Sequence, residues 1–194
     1  MKRGLAKRAK TSHRDNLEIE DLPPTLMTAP LDWLAAEHQR HRQFCLLLSG
    51  FASARAFDAE QARKLLAFMA KEFAFHVAEE EEDLFPLLQR RALREDNIEA
   101  ALSRLVAEHR AEAAQAEKIQ VFLKNALESR TAPALDPAAV VALSEFASSK
   151  LRHLALENAV ILPIARLRLS GRDLAVLGRQ IATRRCGVTA GATA

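Results

Sequence analysis

Twice in this chain a helical apolar stripe is broken by the same two polar residues at the same spacing, and this repetition constrains the fold more than any other feature. One stripe steps by three or four residues through Leu65, Met69, Phe73, His76, Glu80, Leu84 and Leu87. Another steps through Leu143, Phe146, Ser149, His153, Glu157, Ile161 and Ile164. A His and a Glu at i and i+4 project from one helix face, one above the other. Proline follows six residues after each Glu, as Pro86 and Pro163. Two further stripes precede these pairs. The first runs through Leu31, Leu34, His38, His41 or Arg42, Cys45 and Leu48, the second through Leu102, Leu105, His109, Glu112 or Ala113, Ala116 and Ile119. Both contain Leu-x-x-Leu-x-x-Glu-His, at 31–38 and 102–109. The chain reads as a duplicated helix pair in which each half supplies one His from its first helix and a His/Glu pair from its second.

Punctuation between the stripes sets the architecture. Of six glycines only Gly50 interrupts the segment that carries them, so long helices are expected. The spacing predicts a helix from about Leu31 to Leu48, opened by Thr28 and Pro30 and closed by Ser49-Gly50. A second starts at Asp58, with Gln61 three residues on, and continues to about Arg91. A third starts at Asp96, with Glu99 three on, and ends before Thr131-Ala132-Pro133. A fourth starts at Asp136-Pro137 and runs to about Arg168. A shorter fifth starts at Ser170, with Asp173 at the matching offset, and ends before Gly187. No stretch alternates like a strand, so the chain is expected to be all-α. Short connections imply an antiparallel up-and-down four-helix bundle, with the fifth helix laid across it through Leu174, Leu177 and Ile181. The corresponding division is a flexible basic leader over 1–27, the bundle over 28–168, and a C-terminal helix and tail over 169–194.

The polar residues inside the stripes point to chemistry. Burying an unpaired ionised Glu is costly, and two Glu with four His converging from four helices need a common partner. Divalent transition metals bind both neutral imidazole and carboxylate, and a carboxylate can bridge two ions. Four nitrogens and two bridging carboxylates suit a pair of iron ions better than one structural zinc, which takes four ligands; zinc or manganese stay open as alternatives. The candidate ligands are His38, His76, Glu80, His109, His153 and Glu157. His41 and Glu112, at equivalent +3 positions, are candidates for a further ligand or for a group that orients one. Within the acidic run Glu79 to Asp83, Glu80 alone lies four residues from His76, and its neighbours are expected on a solvated face.

Charge argues against other classes. The net charge is +3, but residues 1–22 carry +2 and residues 166–194 carry +5, so the segment between them carries −4. Arg172, Arg179, Arg184 and Arg185 are expected to stay exposed. With no aromatic interleaving and no repeated basic register among them, no nucleic-acid partner is expected. Two cysteines, Cys45 and Cys186, exclude a disulfide scaffold. The basic start has no apolar segment behind it and no run is long enough to span a membrane, so a cytoplasmic protein is expected. The residues leave the oligomeric state and any catalytic residue open.

At this point the sequence resembles the hemerythrin-like, or HHE cation-binding, family. The matching residues are Glu37-His38, His76-x-x-x-Glu80-Glu81-x-x-Leu84-Phe85-Pro86, Glu108-His109, and His153-x-x-x-Glu157 with Leu162-Pro163, within about residues 30 to 165. The resemblance implies a four-helix bundle around a non-haem di-iron centre. One iron would take His38 and His76 and the other His109 and His153, with Glu80 and Glu157 bridging beside an oxo or hydroxo group. Oxygen-carrying members have a second third-helix His where this chain has Ala113, and an Asp where it has Asn158. The four-His, two-Glu set is more similar to the metal domain of iron-centre repair proteins and to iron-sensing hemerythrin domains. The function this implies is binding or sensing of O2, NO, peroxide, or iron and redox state. The alternatives are a di-iron enzyme acting on peroxide or NO, and a non-catalytic helical interaction module with zinc or no metal.

Overall fold

The computed structural model describes residues 18–187. Among them every regular element is helical: α1 (Pro30–Ser53), α2 (Ala59–Ala78), α3 (Phe85–Arg91), α4 (Ile98–Ser129), α5 (Pro137–Leu156), α6 (Leu162–Arg168) and α7 (Gly171–Gly187). A π-helical turn, Glu79–Leu84, joins α2 to α3, and another, Glu157–Ile161, joins α5 to α6. These junctions keep two of the four rods continuous, and the antiparallel bundle places α1 against α2 and α5, with α4 also against both.

Local chemistry explains most boundaries. Asp58 accepts the amides of Glu60 and Gln61, and Asp136 those of Ala138 and Ala139, so both start as the caps predict. Gln61 does not complete a reciprocal box, because its side chain donates to the Leu47 carbonyl. Ser170 and Asp173 do complete one, each accepting the other's backbone N–H at the start of α7.

Other boundaries differ from the sequence expectation. Helix α1 continues through Gly50 to Ser53, because Phe51 and Ala52 are buried and draw the last turn onto the core. Thr28 does not cap it, since its hydroxyl donates to the Thr25 carbonyl. Asp96 does not open α4; it accepts from the Leu93 amide and from Arg168 while Asn97, left-handed at φ 47°, precedes the helix. The expected flexible leader falls partly on residues 1–17, outside the described residues. Its remainder lies on the bundle, where Leu22 and Leu26 pack on the core, Met27 is buried in the 3-10 turn Pro24–Thr28, and the Glu20 carbonyl accepts Arg40. Residues 188–194 of the expected tail also lie outside the described residues.

Two apolar clusters occupy the two ends of the bundle. One gathers Leu34, Leu84, Phe85, Leu88, Leu105, Ile161 and Leu162 with Leu177 and Ile181 of α7. The other gathers Phe44, Leu48, Leu65, Phe68, Phe73, Leu123, Leu143 and Phe146. Each buried large side chain contributes about 1.5–3 kcal/mol, so the ends supply the stability and the middle is left for polar residues.

Helix α7 docks as its apolar spacing predicts, with Leu177 and Ile181 inaccessible and Leu174 partly buried. Its arginines depart from expectation: Arg172 and Arg179 are exposed, but Arg184 and Arg185 are turned inward. Arg184 bonds Glu82 and Asp83 at 2.9 Å each. Arg185 bonds Glu72 at 2.6 Å, Glu37 at 3.0 Å and Glu79 through a short contact, and lies over the Trp33 ring at 5.1 Å. Glu79 and Asp83 are therefore buried and paired, not solvated, because their counter-ions arrive from a helix a hundred residues later.

Two substitutions test the docking. Arg185→Ala leaves Glu79 buried without its main partner, and a loss of about 3–5 kcal/mol is expected in denaturant unfolding. At Gly178 an added Cβ would sit 2.7 Å from the Met27 carbonyl oxygen. Gly178→Ala is expected to lower stability by about 1–3 kcal/mol, against the gain of about 1 kcal/mol that helix propensity alone would give.

Candidate metal centre

Between the two apolar clusters, all six sequence-predicted side chains converge: His38 from α1, His76 from α2, Glu80 from the first π turn, His109 from α4, His153 from α5 and Glu157 from the second π turn. All are buried. Their ligand atoms fall into two groups, His38, His76, Glu80 and Glu157, and Glu80, His109, His153 and Glu157, each within 4.8 Å. Both carboxylates belong to both groups. Glu80 Oε1 lies 3.2 Å from His38 Nε2, while its Oε2 lies 3.5 Å from His76 Nε2 and 3.3 Å from His109 Nε2. Glu157 Oε1 lies 2.8 Å from His153 Nε2 and its Oε2 3.6 Å from His38 Nε2. His109 Nε2 and His153 Nε2 approach to 2.9 Å.

The π turns aim the carboxylates. The Phe85 amide bonds back five residues to the Glu80 carbonyl, and the Leu162 amide to that of Glu157. The wider turn lies just ahead of the proline, which lacks an N–H and would crowd the preceding turn of an α-helix. Proline at the same offset after each Glu is the sequence signal for this feature. One effect is a shift of face: beyond Leu162 the next buried position is Ala165, and Ile164 of the simple stripe is half-buried.

Three of the four imidazoles are oriented through Nδ1, which leaves Nε2 facing the centre. His38 Nδ1 donates to Asn158 Oδ1 at 3.1 Å, and the Asn158 amide is fixed by donating to the Leu154 carbonyl. His109 Nδ1 meets Glu81 Oε1 at 2.7 Å, and His153 Nδ1 meets Glu108 Oε2 at 2.9 Å. Such outer partners fix the tautomer and raise ligand basicity. His76 breaks the pattern. By the duplication its partner would be Glu37, the counterpart of Glu108, but Glu37 is held by Arg40 and Arg185, and His76 Nδ1 has no hydrogen bond.

Neither +3 candidate joins the two groups. His41 lies 4.4 Å from the His76 ring, and Glu112 pairs with Lys150 Nζ at 3.0 Å. The register places Glu112 inside and leaves Ala113 exposed. Lys150 is the residue sequence reasoning missed: the stripe through Ser149 skipped it, yet Lys150 is 0% accessible and Ser149 only half-buried. Its position three residues before His153, facing Glu112 three residues after His109, is the signal that would have found it.

Burial and mutual charge set the protonation of these groups. Burial opposes ionisation of Glu80, but the His109 and His38 side chains outweigh it and hold its carboxyl far below the usual range. Burial and the Glu80 charge likewise oppose ionisation of Glu157, and His109, His153 and His38 hold it at about 2. Burial would push His109 down, but Glu157 and Glu80 raise it to about 10. His41 and His76 are pushed well below 6.5, first by burial and then by neighbouring positive charges, and stay neutral. The centre thus presents two carboxylates, at least one proton and, in His76, a neutral imidazole, a donor set that exchanges protons for cations.

His109 supplies a test on metal-free protein. Its folded value lies above its unfolded one, so its contribution to stability is full below about pH 6.5 and is lost as pH rises through about 10. An NMR titration of its ring is expected to move far above the ordinary histidine range, with stability declining over the same window.

The family described as the hemerythrin HHE cation binding domain matches residues 29–165. No curated protein and no solved structure matches the chain. The matched span contains all six converging residues and both π turns, and ends before α7.

Proposed function

Because the chain belongs to the hemerythrin HHE cation-binding domain family, we propose that its buried centre holds two iron ions and that the protein binds or senses O2, NO, peroxide or redox state through them. His38 and His76 would hold one ion, His109 and His153 the other, and Glu80 and Glu157 would bridge. The observation that carries this reading is the pair of groups that share both carboxylates. A single ion would leave two imidazoles and part of each carboxylate without a partner in a buried site, whereas two ions use every donor. The set holds nitrogen and oxygen and no thiolate, since Cys45 lies in the phenylalanine-rich cluster, and this favours iron, with manganese or zinc as substitutes. The four-His, two-Glu composition is the one that resembles iron-centre repair proteins more than oxygen carriers.

When bound, such an ion pair supplies redox-active positions at which a small ligand coordinates. The chain's own residues do the rest. Glu81, Glu108 and Asn158 hold three imidazoles in one tautomer, and Leu34, Leu84, Leu105 and Ile161, none of them accessible, exclude water from one side.

Protein purified without chelator is expected to contain close to two irons per chain and to show near-ultraviolet oxo-to-iron absorption. Glu80→Ala and Glu157→Ala are each expected to lose metal, because each removes a donor from both groups. A folded, colourless, metal-free protein would overturn the reading, and retention of both ions in either variant would overturn the bridging roles.

A further inference from the structure

Three of the four inward imidazoles are backed by a group that reaches solvent. The Glu81 and Glu108 side chains, which hold His109 and His153, are each 30% exposed, and Asn158, which holds His38, is half-buried. The corner at His76 differs. By the duplication the position behind it falls to Glu37, which is inaccessible. Glu79, next to the inward Glu80, is inaccessible too, and Glu72, one turn before His76, is mostly covered. The end of α7 covers all three carboxylates. Arg185 bonds each of them and lies over the Trp33 and Phe75 rings at 5.1 and 5.0 Å, while Trp33 Nε1 donates to Glu79 at 3.2 Å.

The two ends of α7 are held by unlike forces. Up to Ile181 the helix is anchored by the Ser170–Asp173 box, the Arg91–Asp173 ion pair, the close approach of Gly178 to the Met27 carbonyl, and the inaccessible Leu177 and Ile181. After Ile181 no residue of the helix is fully buried. Ala182 packs only in part, and the attachment is made by Arg184 to Glu82 and Asp83 and by Arg185 to its three carboxylates. A segment with few buried apolar contacts opens locally, at a cost below that of global unfolding. Residues 182–187 can therefore lift while the bundle and the rest of α7 stay in place, and Glu37, Glu72 and Glu79 then meet water.

We infer that the last turn of α7 is a latch over one half of the metal centre, held shut by Arg185. Exchange of the ion at His38 and His76 requires this turn to lift, whereas the ion at His109 and His153 exchanges past Glu81 and Glu108 without it. This rests on the two-ion reading above and adds to it an unequal retention of the two ions. Along the bundle axis neither direction offers another way out. Leu34, Leu84, Leu105 and Ile161 are inaccessible on one side, and on the other the buried His41 and Phe73 rings lie 4.8 Å apart, with His41 4.4 Å from the His76 ring. The latch lies outside the matched span, so it belongs to α7 and not to the bundle that carries the ligands.

The experiment measures iron content first, then adds excess ferrous chelator to the reduced, iron-loaded full chain without oxygen and follows release. Amide hydrogen exchange over residues 182–187 is measured on the same samples. Wild type is expected to lose its iron in two phases of one ion each. Arg185→Lys keeps a positive charge beside the three carboxylates but lacks the fork that bonds them together. It is expected to raise exchange over 182–187 and to speed the slow phase about tenfold or more, the size of one lost charged hydrogen bond, with the fast phase unchanged. Gly178→Ala strains the docking of α7 without touching a carboxylate and is expected to act in the same direction. Leu123→Ala destabilises the apolar cluster that α7 does not join, and is expected to change neither phase. A single phase for both ions in wild type overturns the proposal, as does an unchanged slow phase in either α7 variant, equal acceleration of both phases, or equal acceleration by Leu123→Ala. A wild-type chain without iron overturns the metal-centre reading itself, and this proposal with it.

Discussion

The structure depends on keeping two carboxylates, Glu80 and Glu157, ionised where no water reaches them. Burying either alone would cost several kcal/mol or force it to take up a proton. Each instead sits among imidazoles from opposite helices, so the compensation is possible only when all four rods are assembled. The apolar clusters on both sides supply the packing that holds the rods in register. Polar centre and apolar ends are interdependent: the ends make the centre dry, and the dryness makes its electrostatics strong.

Duplication gives the centre approximate two-fold symmetry, and the departures from it are local. Glu81 supports His109 as Asn158 supports His38, each one residue after the carboxylate. Glu108 supports His153, but its counterpart Glu37 is drawn away by Arg40 and Arg185. One half therefore has two carboxylates behind its imidazoles and the other has a single amide. Carboxylate partners make imidazole more basic, so the two halves are electronically unequal although their inner residues are alike.

Helix α7 lies beyond the family match, yet it bears on the centre. Arg184 and Arg185 reach Asp83 and Glu79 in the π turn that presents Glu80, and Arg185 also holds Glu37 beside His38. Part of the positive charge at the C-terminal end is thus the counter-charge of the acidic bundle. A basic end of this kind suggests an external partner only until its arginines are located. Two of the four arginines on this helix are used internally, and Arg172 and Arg179 remain on the surface.

Helical periodicity alone determined the all-α architecture, the five helical segments and the six converging residues. A 3.6-residue period records which side of a helix faces inward, and a polar residue on that side stands out against its apolar neighbours. The matched Pro86 and Pro163 marked the positions where the helix widens, though not that the widening is a π turn. Tertiary structure decided what periodicity cannot record, namely which buried group meets which across helices. Whether Asp96 capped a helix or paired with Arg168, whether Glu79 was solvated or held by Arg185, and whether Glu37 served His76 were settled by residues tens of positions away. Lys150 was hidden for the same reason. A lysine one position off the apolar stripe reads as solvent-facing until Glu112, on a different helix, is placed within hydrogen-bonding distance of it.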